Sequence, residues 1–145
     1  MKRNKYKCPN YGDLFLDVLK VIEGKGGSAS NDEIADKVAP LVQSGEYDRA
    51  VLICGTGAGM SVVANKYKGV HAVACESVYS AKMCRAINNA NVLCMGGWIV
   101  GPEMAVEMVK TFLATDWCQD LEDWRKENMK KFAVQIDAIE NKIYG

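Results

Sequence analysis

The residues best equipped for chemistry lie in one stretch, Leu52-Ile53-Cys54-Gly55-Thr56-Gly57-Ala58-Gly59-Met60-Ser61. An apolar run of strand type ends on a thiol, passes through glycines and enters a segment of helical character. Gly55, Gly57 and Gly59 let backbone N–H groups approach an anion closely, and a helix start adds partial positive charge. A phosphate, a carboxylate or an enediolate oxygen suits such a loop. The same field favours a thiolate, which makes Cys54 the cysteine placed to act as base or nucleophile. Thr56 and Ser61 add hydroxyls to the loop.

Two other uses of these residues compete. One is a tight structural turn. The other is a dinucleotide site, because Gly55-x-Gly57-x-Gly59 follows a strand and Glu76 stands about twenty residues on, near the end of the next strand. Against it, Met60 occupies the place of the fingerprint's third glycine, where a bulky side chain obstructs close helix–strand packing.

Positioning such a loop requires a strand before it and a helix after it, and the chain supplies that alternation three times. Apolar runs at Ala50–Cys54, Val70–Cys75 and Asn91–Met95 are each followed by a helix-like stretch, at Gly59–Lys66, Val78–Ile87 and Pro102–Ala114. Alternating strands and helices predict a parallel sheet covered on both faces, an α/β fold of three layers, Rossmann-like. In such a sheet the glycine loop lies at the carboxyl edge, where ligands bind. Upstream, Phe15, Val18, Leu19 and Ile22 predict a helix over Tyr11–Glu23. Ser30-Asn31-Asp32-Glu33 reads as a capping box opening a second helix, which Pro40 should kink or end. Downstream, Phe132, Ile136, Ile139 and Ile143 make an apolar stripe on a helix expected over residues 120–144.

Composition narrows the partners. A chain of 145 residues builds one domain with a real core, so residues 1–145 are read as a single unit. Eighteen Lys and Arg balance eighteen Asp and Glu, leaving no positive field to draw the protein onto nucleic acid. The basic segment Met1–Asn10 is followed by no apolar run, so neither a leader peptide nor a membrane span is expected, and the predicted location is the cytoplasm. The six cysteines form no C-x-x-C pair, which points to neither a zinc site nor a disulfide framework, and most are expected to be small buried hydrophobes.

Leu52 to Lys66, LICGTGAGMSVVANK, resembles the signature of type B ribose-5-phosphate isomerases and galactose-6-phosphate isomerase subunits. The similarity continues through Lys68-Gly69-Val70, Ala74-Cys75, Tyr79-Ser80-Ala81, Asn88-Asn89-Ala90-Asn91-Val92-Leu93 and Gly101-Pro102-Glu103. What the resemblance implies is a metal-free and cofactor-free aldose–ketose isomerisation of a small phosphorylated sugar, a pentose or hexose phosphate, through a cis-enediol. By the same resemblance Cys54 matches the base and Thr56 the hydroxyl that assists ring opening. Asn88 and the N–H groups around Gly57 and Gly59 match the enediolate stabilisers.

Phosphate in the family is held largely by arginines, several lent by a partner chain. Arg125, Lys130 and Lys131 are the nearest candidates here, and His71 stands where the family often has an arginine. Met1–Asn10 lacks the Asp-His pair that ends the family's first strand, and two N-terminal edge strands seen in the family have no counterpart in the sequence pattern. Ile87 replaces the histidine that usually precedes the motif asparagine, which removes the usual acid for ring opening. Trp98 is expected to pack inside, with a sugar-pocket wall as its other use. The expected assembly is a homodimer closed partly by the C-terminal helix. A noncatalytic subunit that completes a site with an intact relative, or a nicotinamide-dependent oxidoreductase, are the alternative functions.

Overall fold

In the computed structural model residues 31–145 are described, with side chains from residue 35 onward. The expectations for the Tyr11–Glu23 helix, the Ser30 cap, Cys8 and the N-terminal edge strands lie outside those residues. The described elements run α1 (Asn31–Gln43), β1 (Ala50–Cys54), α2 (Ala58–Ala64), β2 (Ala72–Ala74), α3 (Val78–Asn88), β3 (Val92–Gly96), α4 (Pro102–Ala114) and α5 (Asp123–Tyr144).

The three strands form a parallel sheet in the order β1-β3-β2. The chain therefore steps over the future position of β3 on its way from β1 to β2, then returns. A right-handed crossover outward and a right-handed crossover back must lie on opposite faces. Residues of α1 and α2 accordingly pack on one face with Ala50, Leu52, Val92 and Cys94, and residues of α3 and α4 on the other with Leu93 and Met95. The alternation along β3 shows the pleat at work: Val92 and Cys94 point one way, Leu93 and Met95 the other. All five residues of β3 are buried, as expected of a central strand covered on both sides. Phe112 and Met108 of α4 have no exposed surface, and burying a side chain of that size contributes about 1.5–3 kcal/mol each.

Local details depart from the sequence pattern for identifiable reasons. Helix α1 runs through Pro40 to Gln43. Proline removes only its own N–H, and the Pro40 carbonyl still accepts from Ser44 N–H at 2.9 Å. Strand β2 keeps only Ala72–Ala74 of the apolar run, because its outer side is occupied by a side chain rather than a strand. Asn65 accepts from Ala72 N–H at 2.7 Å and donates to Ala72 O at 2.8 Å. The last helix begins at Asp123, not at residue 120, because Cys118 and Asp120 both have left-handed backbone, φ 63° and 57°. No residue of α5 is buried, and Phe132, Val134, Ile139 and Ile143 are exposed.

Candidate functional site

Strand β1 ends on Cys54 because the next residues cross over the end of β3 at very short range. A Cβ on Gly57 would lie 2.9 Å from the Met95 carbonyl carbon, and one on Gly96 would lie 2.8 Å from that of Thr56. Gly57 also has φ 77°, a conformation favourable to glycine. The crossing turns backbone N–H groups inward. Gly57 N–H donates to the Cys54 sulfur at 3.1 Å.

Burial pushes the Cys54 thiol up, but the amides of Met60, Thr56, Gly57 and Gly59 together outweigh it and leave its pKa below that of an ordinary cysteine. Helix α2 is only seven residues long, so this local cluster of N–H groups, not a long helix dipole, is what favours negative charge here. Thr56 is exposed, and its Oγ1 accepts a long bond from Ala58 N–H at 3.4 Å. The Ser61 hydroxyl donates back to Ala58 O at 2.8 Å, so its proton is engaged with the loop itself.

Residues expected to share a site with Cys54 lie elsewhere. Helix α3 leaves the carboxyl end of β2 and delivers its last residue, Asn88, to the amino edge of the sheet, opposite Cys54. There a cavity of about 330 Å³ is lined by Asn88, Ile87, His71 and Trp117, and by Lys130, Phe132 and Asp137 of α5. His71 backbone N–H donates to Asn91 Oδ1 at 2.7 Å, which fixes the entry to β2. Its Nε2 makes no hydrogen bond and faces Glu140 Oε1 at 3.5 Å. Glu140 also accepts from Gly69 N–H at 3.0 Å. Arg125 lies in the first turn of α5, its guanidinium over the Trp124 ring at 5.8 Å, and does not line the cavity. The structure thus gathers Cys54, Gly55, Thr56, Gly57, Gly59 and Ser61 at one edge and His71, Asn88 and Lys130 at the other. Glu140, the partner of His71, went unnoticed in the sequence because only the fold brings it to a residue so far away.

The dinucleotide alternative loses its geometry. Glu76 follows β2, and β3 separates β2 from β1, so Glu76 is not on the strand beside the glycine loop as the fingerprint requires. Met60 is wholly buried where that fingerprint needs a glycine. Trp98, expected inside, is 86% exposed, because the turn after Gly96 carries it over the outside of Gly55. Among the described residues no group of three His, Cys, Asp or Glu could hold a metal ion, and no helix is long and apolar enough to cross a membrane.

A parallel α/β sheet with a glycine loop at its carboxyl edge, and a thiol set among the loop's amides, is an arrangement that favours negative charge on and beside that sulfur. The chain belongs to the ribose/galactose isomerase family, whose profile matches residues 17–130. It is 53% identical over 112 residues to a 4-deoxy-4-sulfo-D-erythrose isomerase of a Clostridium species, covering 77% of this chain and 70% of that protein. It is 42% identical over 140 residues to a galactose-6-phosphate isomerase subunit of Clostridium acetobutylicum, covering 89% of this chain and 78% of the subunit. The solved type B ribose 5-phosphate isomerase of Trypanosoma brucei is 38% identical, with a TM-score of 0.66 over 77% of this chain and 70% of that one. Further relatives bear the names of ribose-5-phosphate and D-erythrulose-4-phosphate isomerases. The chain spans 56% to 65% of the length of those relatives.

Proposed function

We propose that this chain interconverts an aldose and a ketose bearing a terminal phosphate or sulfonate, with Cys54 carrying a proton between C2 and C1. The observation that carries this reading is the Cys54 sulfur held by Gly57 N–H at 3.1 Å, at the sheet edge where ligands of such folds bind. The thiolate removes the C2 proton of the open-chain aldose. The released electron pair forms the C1–C2 double bond, and the C1 carbonyl oxygen becomes the enediolate oxygen. Loop amides stabilise that charge in place. A proton added to O1 and another lost from O2 give the isomeric enediolate, and Cys54 returns its proton to C1. No oxidant or reductant is consumed.

The second half of the site comes from another copy of the chain. His71, Asn88 and Lys130 gather at the opposite edge from their own Cys54, and Val134, Ile139 and Ile143 of α5 are exposed. A homodimer that brings this edge against the partner's glycine loop would set Asn88 at the enediolate and Lys130, with Arg125 as a second cation, at the anionic end. Thr56 remains the hydroxyl for handling the substrate's oxygens.

The substrate on this reading has four carbons, shorter than the pentose or hexose suggested by the resemblance. Ile87 lines the cavity beside Asn88, where an acid would be needed to open a sugar ring. A tetrose whose C4 carries phosphate or sulfonate has no free hydroxyl there to close a furanose, so it needs no ring-opening acid. The sulfoerythrose and erythrulose phosphate relatives support this choice. The test is solvent deuterium incorporation at C1 and C2 with D-erythrulose 4-phosphate, 4-deoxy-4-sulfo-D-erythrose and ribose 5-phosphate. Incorporation into the four-carbon sugars, at least tenfold faster than into ribose 5-phosphate, is expected. Equal or faster turnover of ribose 5-phosphate would overturn the four-carbon choice.

A second reading, a noncatalytic subunit that completes its site with an intact relative, draws on the same Ile87 and on the similarity to a galactose-6-phosphate isomerase subunit. It predicts no incorporation by the purified chain alone.

A further inference from the structure

Trp98 is the most exposed of the large apolar side chains described, and it stands beside the catalytic loop. Two hydrogen bonds put it there. Gly97 N–H donates to Cys54 O at 2.7 Å and Trp98 N–H donates to Gly55 O at 3.0 Å, carrying the β1–β3 pairing past the end of the sheet. The indole then lies against Gly55. A Cβ at that position would come within 2.9–3.0 Å of the ring atoms Cε3, Cζ3 and Cδ2, so only glycine admits the ring. The backbone therefore fixes a large aromatic surface one residue from the reactive thiol, yet leaves 86% of it in water. Core packing does not account for that placement.

We propose that Trp98 is a substrate-contacting residue, its indole forming the apolar wall of the Cys54 site against which the carbon chain of the sugar packs. This rests on the isomerase reading above. The chemistry fits: an open-chain sugar presents C–H groups polarised by neighbouring oxygens, and an aromatic face carries the complementary negative charge. The loop's backbone amides address anions, whereas the indole addresses carbon. A wall held by the main chain is preorganised and need not be ordered on binding.

The test uses the full-length protein labelled with 5-fluorotryptophan, whose three indoles give three fluorine resonances. Trp98→Phe identifies the Trp98 signal by its loss. Titration with D-erythrulose 4-phosphate should shift that signal saturably. In steady-state assays Trp98→Ala should raise KM by about threefold to tenfold, the range for one aromatic contact, with kcat within about twofold. Trp98→Phe should recover most of the loss, and the melting temperature should not move, since the side chain is exposed. A Trp98 signal unmoved at saturating ligand, or an unchanged KM in Trp98→Ala, would overturn the proposal. The isomerase reading fails separately. Wild-type protein that turns over no sugar would sink that reading, while the fluorine titration would still decide whether Trp98 contacts a sugar phosphate.

Discussion

Gly57 N–H donates to the Cys54 sulfur at 3.1 Å, so the reactive group shares its amide environment with the oxygen anion it would generate. Donors aimed at sulfur favour the thiolate, and the folded-state pKa lies below that of an ordinary cysteine. On the proposed mechanism the anion is the active form, so kcat/KM should rise with pH through a midpoint below that value and then level off. The same sign holds for stability: the contribution is present above the unfolded thiol's pKa and fades as pH falls through the folded one. Iodoacetamide labelling followed by peptide mapping checks the assignment. Cys54 should react first and with the same midpoint. The Cys75 thiol is also drawn down, by the Cys84 sulfur, but both are buried and should react slowly. A labelling midpoint at or above that of the same cysteine in the unfolded chain would count against the loop's role.

Cys54→Ala should leave the fold intact and lower proton exchange by about 100-fold to 10,000-fold, the usual worth of a positioned base. The side chain is only half-buried, so its loss removes little packing. Undiminished exchange in that variant would end the assignment.

Glycines of the loop should separate into two kinds. Gly57→Ala places a methyl against the Met95 backbone in a left-handed conformation, and should cost about 2 kcal/mol or more in urea denaturation. Gly59 lies within α2 with nothing within 4 Å of an added Cβ, so Gly59→Ala should stabilise the helix by about 0.5–1 kcal/mol. Because alanine keeps the backbone N–H, a loss of kcat in that more stable variant would report the methyl intruding on substrate held at this amide. Equal destabilisation by both changes would contradict the crossing geometry.

Arg49 ties the approach to β1 to the end of α4 across more than sixty residues, donating to Phe112 O at 2.9 Å and Leu113 O at 2.7 Å. These are carbonyls that the helix terminus leaves without intrahelical donors. Arg49→Met keeps the stem and removes the charge-assisted bonds, and should destabilise by about 1.5–3 kcal/mol with kcat unchanged. Denaturant midpoint and turnover measured on the same variant provide the check.

The glycine loop and the β1–β3 alternation were legible in the sequence because they depend on neighbours in the chain. Leu52-Ile53-Cys54 reads as a strand entering a turn without reference to anything distant. What could not be read was set by register and crossing order. The β1-β3-β2 order, which moves Glu76 away from the loop, comes from where β3 inserts. The exposure of Trp98 depends on Gly55 lacking a Cβ, and two glycines at the end of β3 look the same whether the next residue turns inward or outward. The split of the candidate residues between two edges follows from helix α3 running back across the sheet, a consequence of the fold that motif spacing does not record.

That split yields the last prediction. Asn88 lies at the amino edge of a sheet whose longest strands have five residues, a span of about 13–16 Å, whereas Cys54 lies at the carboxyl edge. A four-carbon sugar phosphate cannot bridge that distance, so the proposed role of Asn88 requires substrate held by another copy's Cys54. The exposed Ile139 and Ile143 on α5 offer an apolar contact for such a partner. Ile139→Glu with Ile143→Glu should therefore halve the mass in sedimentation and abolish turnover together, as should deletion of Phe132 to Gly145. A stronger check uses two inactive proteins. Cys54→Ala and Asn88→Ala homodimers, mixed and allowed to exchange subunits, should recover activity, because a mixed dimer places one intact Cys54 loop against one intact Asn88 edge. Random exchange makes half of the dimers mixed, each with one of two sites complete, so about a quarter of wild-type activity is expected. Failure to recover any activity, with exchange verified by mass, would show that the site is not shared between copies, and an Asn88→Ala homodimer that kept full activity would show that Asn88 has no part in it.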